Sequence, residues 1–184
     1  DTLFKLAQPL ATAHNWSYKG GGTNLNAVPS WKTSLAYAET NWLTNRPAPF
    51  RLGTTPPATN TTIPGNNSTG GAGPTNGRYP TLYFRKVVNI PNPSAYTNFK
   101  ILAKFDDAIA VWVNGQEVFR NNISANPSYS TLATTAMAGN GATIFSGNIS
   151  TALFNSGNNL IAVEIHQSSS NSSDLFFDME LMGV

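Results

Sequence analysis

The sequence FKILAKFDDAIAVWVNGQEVFR occupies residues 99–120 and decides the fold class. Every second residue of 99–105 is apolar and the lysines fall between them, which is the period of a β-strand with one buried face. Residues 109–113 and 116–120 form two more strand-like runs, and Asn114-Gly115 separates them. Asn-Gly in this position is the strongest short-range hairpin signal, because both residues tolerate positive φ angles. The stretch therefore predicts three consecutive strands.

Three other segments carry the same signals. Residues 83–90 are aromatic and β-branched, while residues 160–167 and 175–181 alternate between two sets of side chains. Strict alternation predicts that each sheet buries one face and exposes the other. Sheets of this kind pack in two layers. We therefore predict an all-β fold, a two-sheet antiparallel β-sandwich.

The first third of the chain is less regular. Residues 16–19 indicate a strand, and residues 31–42 favour a helical turn or two with Ser30 as the N-cap. Residues 54–80 are rich in Thr, Pro, Asn and Gly, which indicates a long polar loop. We expect one β-sandwich domain over residues 1–184 that carries this loop.

Composition narrows the function classes. Only 11% of the 184 residues are charged, the net charge is +2, and the chain has no run of Lys or Arg. Binding to nucleic acid needs clustered cations, so we expect no nucleic-acid partner. The absence of cysteine excludes disulfides, thiolate metal sites and cysteine nucleophiles. No apolar run of about 18 residues occurs, so we expect no membrane insertion.

Four sequence motifs together resemble those of a known type of domain. They are YFRK at 83–86, FDD at 105–107 followed by VWVNGQEV at 111–118, NLIAVEIHQ at 159–167, and SSDL at 172–175. Together they resemble a galactose-binding-like (jelly-roll) β-sandwich module of bacterial secreted and cell-surface proteins. That module is related to the carbohydrate-binding modules appended to glycosidases. The resemblance implies an extracellular binding or spacer role, often towards carbohydrate.

Aromatic residues outside the main core are the candidate binding groups. Sugars present C–H faces that stack on tryptophan and tyrosine rings, while their hydroxyl groups bond to polar side chains. Trp112 alternates with two valines, so it faces away from the core that those valines share. Trp31, Trp42 and Tyr79 lie in or beside irregular segments. We predict a polysaccharide or glycan site at these four residues, with the alternative that the rings only plug the sheet ends and cover loops.

Three acidic residues are candidate ligands for a structural calcium ion. Asp106 and Asp107 lie at a predicted turn, and Asp174 follows two serines. Calcium binds carboxylate oxygens, but aspartate also stabilises tight turns by bonding to the nearby backbone. We favour the turn interpretation and expect no other cofactor.

Glu164 and His166 point to the same side of one predicted strand. We expect a partly buried ion pair between Glu164 and Arg85, with His166 hydrogen-bonded beside it. The sequence has no G-x-S-x-G elbow, no HExxH motif and no cysteine nucleophile, so we predict that the protein is not an enzyme.

These observations predict a non-catalytic, secreted module that binds carbohydrate or mediates adhesion at a cell surface. The alternative is a structural subunit of a surface filament or layer that joins other copies of itself by exchanging a β-strand. Residues 2–10 (TLFKLAQPL) are the candidate donated strand. Otherwise they form the first strand of the protein's own sandwich.

Overall fold

Two β-sheets face each other in the computed structural model, which describes residues 4–5 (backbone only), 15–52, 59–63, 79–170, 172 and 174–184. In these ranges the strands are β1 (Phe4–Lys5), β2 (Asn15–Lys19), β3 (Leu43–Pro47), β4 (Phe50–Leu52), β5 (Thr61–Thr62), β6 (Thr81–Ile90), β7 (Phe99–Asp106), β8 (Ala108–Val113), β9 (Gln116–Asn121), β10 (Phe145–Ile149), β11 (Gly157–His166) and β12 (Leu175–Gly183). One α-helical turn, α1 (Ser30–Thr33), and 3₁₀ turns at Pro93–Ala95 and Thr151–Leu153 complete the described elements.

Sheet A has the strand order β10-β7-β12-β4-β5, and β1 also pairs with β12. The long ladder between β12 and β7 is antiparallel, whereas β4 and β5 are parallel. Sheet B has the order β3-β2-β6-β11-β8-β9, and its ladders are antiparallel. The predicted all-β, two-sheet sandwich is therefore confirmed, with one parallel pair at the edge of sheet A.

The predicted hairpin joins β8 and β9. Asn114 and Gly115 have φ angles of 50° and 87°, which is the left-handed conformation that an Asn-Gly turn supplies. The amide group of Asn114 also donates to the carbonyl oxygen of Leu153 and accepts the backbone N–H of Leu160, both at 2.9 Å. The turn is thus pinned to the neighbouring strand β11.

The main core lies between the sheets and is built from the inward residues of every long strand. Its centre is aromatic: the ring centroids of Phe84 and Phe177 are 4.5 Å apart, and Trp16 meets Phe177 edge-on at 5.2 Å. These are the spacings that aromatic side chains prefer in protein interiors.

Sheet B is also buried on its outer face, contrary to our prediction that each sheet exposes one face. All six residues of β8 are buried, and its outward set is Ala108, Ala110 and Trp112. Residues 25–42 pack over this face and form a second apolar cluster with it. The prediction failed because two alanines and a tryptophan create an apolar outer surface, which another segment must cover.

The helical turn predicted within residues 31–42 is present as α1, but its cap differs from the prediction. Pro29 occupies the N-cap, Ser30 is the first helical residue, and no side chain caps the helix. The N-terminal strand β1 pairs with β12 of the same chain, with Phe4 opposite Gly183. The rest of the candidate donated strand lies outside the described residues.

Most of the polar loop at 54–80 also lies outside the described residues. The described parts are residues 59–63, which contain β5, and residues 79–80. Within the described ranges, no helix has the length and apolar character needed to span a membrane.

Candidate functional site

A cavity of about 330 Å³ opens on the covered face of sheet B, and we call it the α1 cavity. One wall comes from the segment that ends in α1, a second wall comes from the loop 126–128, and Glu164 of β11 contributes a buried carboxyl group. The lining residues are Leu25, Asn26, Pro29, Trp31, Lys32, Asn126, Pro127, Ser128 and Glu164. Its volume falls at the small end of the range for ligand pockets, roughly 300–1,000 Å³.

Arg85 anchors the first wall to the sheet. Its side chain is 2% exposed and forms an ion pair with Glu39, with Nε and Oε1 2.9 Å apart. The same guanidinium donates to the carbonyl oxygens of Trp31 and Ser34 and lies 5.0 Å from the ring centroid of Tyr37. The predicted pair between Arg85 and Glu164 is therefore wrong, because the covering segment brings its own carboxylate to Arg85.

A cluster of rings supports this wall from behind. Trp31 is at its centre, with centroid distances of 5.0 Å to Tyr83, 6.1 Å to Trp112 and 6.3 Å to Trp42. Ala110 and Ala162 of sheet B belong to the same cluster, and their small side chains leave room for the rings. This packing fixes the backbone that carries Trp31 and its neighbour Lys32.

The structure buries all four aromatic residues predicted to bind glycan. The exposed fractions are 5% for Trp112, 6% for Trp42, 1% for Trp31 and 5% for Tyr79. Trp112 does face away from the main core, as predicted, but residues 25–42 cover it. Trp31 alone of the four lines the α1 cavity. The expectation of four exposed stacking platforms is therefore corrected to one ring at a cavity wall.

Glu164 is hydrogen-bonded to His166, with Oε2 and Nε2 3.1 Å apart. On the other side of the imidazole, Nδ1 lies 2.8 Å from the carbonyl oxygen of Thr131 and 2.9 Å from the hydroxyl oxygen of Thr81. A carbonyl oxygen only accepts, and the Thr81 hydroxyl donates to Tyr129 O at 2.6 Å, so Nδ1 must carry a hydrogen. Nε2 then faces Oε2 of Glu164, so both nitrogens of the imidazole have a polar partner.

Lys32 projects across the ring cluster. Its Nζ lies 4.0 Å from the ring centroid of Trp112 and 5.8 Å from that of Trp31. Burial raises the pKa of Tyr83 and of Tyr129, so both nearby phenols stay neutral at physiological pH. Lys32 is thus the one basic side chain among the described lining residues of the cavity.

The loop wall is tied to the first wall by one hydrogen bond across 103 residues of sequence. The backbone N–H of Tyr129 donates to Oδ1 of Asn26 at 2.9 Å. Asn126 adopts a φ angle of 52°, which aims the chain into the turn before Pro127. The amide oxygen of Asn26 is thus occupied, and its NH₂ group is left as a donor.

The calcium candidates lie elsewhere, at the end of sheet A. Both carboxylate oxygens of Asp107 accept backbone amides, from Met137 at 2.8 Å and from Ser168 at 2.7 Å, and its peptide bond to Asp106 is cis. Asp107 therefore bonds to backbone amides 30 and 61 residues away and not to its own turn, so the predicted local turn role is not what these contacts show. The described residues contain no group of three or more His, Cys, Asp or Glu side chains arranged to hold a metal ion.

Asp106 differs from its neighbour. It is 2% exposed, and its Oδ1 has no hydrogen-bond partner. Burial is the main cause that raises the pKa of Asp106 to about 7, and the negative charges of Asp107 and Asp174 add to the effect. This carboxyl group is therefore largely protonated below neutral pH.

Another hollow of about 320 Å³ lies beside Arg85, at the edge of sheet B, and it is more open. Its charged lining residues are Arg85 and Glu39, which are paired, and Lys86, which donates to the carbonyl oxygen of Asn15. Because the α1 cavity is more enclosed, we centre the candidate site there.

Sequence reasoning missed most of this site. Lys32, Asn26 and Asn126 have no motif around them, and the two walls meet only after the chain has folded. The one available signal was the apolar outward set of β8, which indicates that another segment packs on that face.

No protein family and no curated protein matches this sequence. Solved structures do match. A β-glucuronidase from an uncultured Clostridium sp. aligns with 100% of this chain and 29% of its own, at 10% identity and a TM-score of 0.54. A β-glucuronidase from Bacteroides uniformis aligns with 100% of this chain and 18% of its own, at 15% identity and a TM-score of 0.55. At these identities the likeness concerns the fold alone: the chain is similar to a β-sandwich portion of much longer enzymes.

Proposed function

We propose that this protein binds carbohydrate in the α1 cavity and does not transform it. The observation that carries the proposal is the composition of the cavity wall, where the exposed ring of Pro29 lies among asparagine, serine and lysine side chains. A sugar ring has apolar C–H faces and polar edges. A wall of this mixed kind can contact both.

The polar groups are neutral hydrogen-bonding groups for the most part. The free NH₂ group of Asn26 and the amide of Asn126 reach hydroxyl groups as donors or acceptors. Pro29 supplies the apolar contact, and the buried ring of Trp31 lies behind it. Since Arg85 and the ring cluster hold this wall in place, ligand binding need not order it first, which favours affinity.

The non-catalytic part of the proposal rests on the carboxylates. Glycoside hydrolysis ordinarily uses a pair of carboxyl groups on either side of the scissile bond. Glu164 is the single carboxyl group among the described lining residues, and its Oε2 is bonded to His166. A cavity with one such group fits recognition better than hydrolysis.

The fold likeness adds support of a general kind. Both solved structures named above are carbohydrate-processing enzymes by name, and this chain aligns with less than a third of either. A sandwich that accompanies such enzymes is a reasonable carrier for a sugar site. An extracellular setting belongs to the proposal because of the resemblance to secreted modules.

The filament alternative has no specific observation in its favour. The candidate donated strand contributes β1, which pairs with β12 of the same chain. We therefore carry the binding function forward.

The experiment is a binding screen followed by a matched pair of variants. The intact protein is tested on an array of neutral and acidic polysaccharides, and the best ligand is titrated by calorimetry. Asn126→Gly removes one lining amide while glycine keeps the positive φ angle. We expect affinity to fall by roughly three- to tenfold, the value of one lost hydrogen bond, at an unchanged melting temperature.

Asn140→Gly is the control, because Asn140 also has a positive φ angle of 49° but lies beside Phe176 of sheet A. It should bind as the wild type does. Absence of binding to any polysaccharide, or equal loss in both variants, would overturn the proposed function.

A further inference from the structure

The α1 cavity contains a cation without a counter-ion. We infer that its ligand is an acidic sugar, a residue that carries a carboxylate, and that Lys32 binds that carboxylate. This inference rests on the proposed function and names the ligand class for the same cavity.

Lys32 forms no ion pair within the described part of the chain. The nearby acidic residue Glu39 is taken by Arg85, at 2.9 Å, and Glu117 is taken by Arg120, at 2.7 Å. What holds Lys32 is the face of Trp112, 4.0 Å from Nζ. A cation over an aromatic face keeps its charge and its N–H donors on the opposite side, where a carboxylate can approach.

Glu164 forms no ion pair with Lys32 in the described residues. Its Oε2 lies 3.1 Å from Nε2 of His166, so this carboxyl group is directed at the imidazole. Directly behind the lining, Arg85 and Glu39 are paired with each other. An anionic ligand therefore meets a cation that no described carboxylate has paired with.

The other polar groups suit an acceptor-rich ligand. Asn26 has its oxygen occupied by the Tyr129 N–H, so it offers hydrogens to the ligand. The half-buried position of Lys32 against indole rings lowers the local dielectric, which strengthens a charge-assisted hydrogen bond relative to one in open water. A neutral sugar of the same shape lacks that bond.

The test compares acids with their own methyl esters. Oligosaccharides of galacturonic, glucuronic and mannuronic acid, and the methyl ester of each, are titrated by calorimetry or NMR at low salt. The ester keeps the sugar ring and removes the charge. We expect the preferred acid to bind about tenfold more tightly than its ester, and the preference to shrink at high salt.

Lys32→Gln should abolish this preference while binding of the ester persists. Lys100→Gln is the matched control, because Lys100 belongs to β7 of sheet A. It should keep the preference. Melting temperatures of both variants establish that they are folded.

The outcomes separate the two proposals. Equal binding of acid and ester overturns the ligand class, and an acid preference that survives Lys32→Gln overturns the role of Lys32; both results leave carbohydrate binding standing. Binding of no acid, no ester and no neutral polysaccharide overturns both.

Discussion

Glu164 of sheet B and Asp106 of sheet A are both buried carboxyl groups, but their surroundings differ. Glu164 is 4% exposed, and its Oε2 is hydrogen-bonded to Nε2 of His166. Asp106 is 2% exposed, its Oδ1 has no partner, and its neighbours Asp107 and Asp174 are acids. A hydrogen-bond partner offsets part of the cost of burying a carboxyl group. Burial next to other acids makes stability depend on pH.

The largest expected effect is a gain of stability on neutralising Asp106. The unfolded chain releases this proton near pH 3.8, whereas the folded protein holds it to about pH 7, so stability falls as pH rises between those values. Asp106→Asn removes this loss. At pH 8 we expect the variant to be more stable by up to about 4 kcal/mol, and equal to the wild type near pH 3.5, in urea titrations.

A flat wild-type stability between pH 4 and 7 would contradict the raised pKa of Asp106. Asp174→Asn is the control among the neighbouring acids. We expect it to raise the stability less than Asp106→Asn does, because the charge of Asp174 has a smaller effect on Asp106 than that of Asp107.

The second expected effect is a loss of stability, and it comes from substituting the adjacent residue, Asp107. Asp107→Asn places an NH₂ group against one of the two backbone amides, of Met137 or Ser168, that now donate to the carboxylate. We expect a loss of about 2 kcal/mol, the cost of an unsatisfied hydrogen bond to a charged group, by urea denaturation at pH 8. A gain like that of Asp106→Asn would mean that simple charge repulsion governs both residues.

The smallest expected effect is at Glu164. In Glu164→Gln the side-chain NH₂ group can donate to an unprotonated Nε2 of His166, while Nδ1 still donates to the Thr131 carbonyl. Because glutamine keeps the shape and this hydrogen bond, we expect stability to change by less than about 1 kcal/mol. Glu164→Leu serves for comparison and should cost about 1–3 kcal/mol, since it leaves Nε2 without a partner. A large loss with Gln would show that an amide cannot replace the carboxyl group in this contact.

Alternation of apolar and polar residues predicted the strands well. For Trp112 it predicted the correct face of the sheet but not whether that face is exposed. Its position between two valines correctly placed it on the face opposite the main core. Exposure did not follow, since a face is open only if no distant segment covers it. The same limit explains the error at Arg85, which pairs with Glu39 from 46 residues away and not with Glu164 of the adjacent strand.

The amino-acid sequence alone determined the strands and the hairpin at Asn114-Gly115, because each depends on residues close together in the chain. Tertiary structure decided which acid meets Arg85, which backbone amides meet Asp107, which rings are covered, and that Lys32 and Asn126 border one cavity. These depend on contacts between segments 30 to 103 residues apart, and a local pattern of side chains carries no information about which segments will meet.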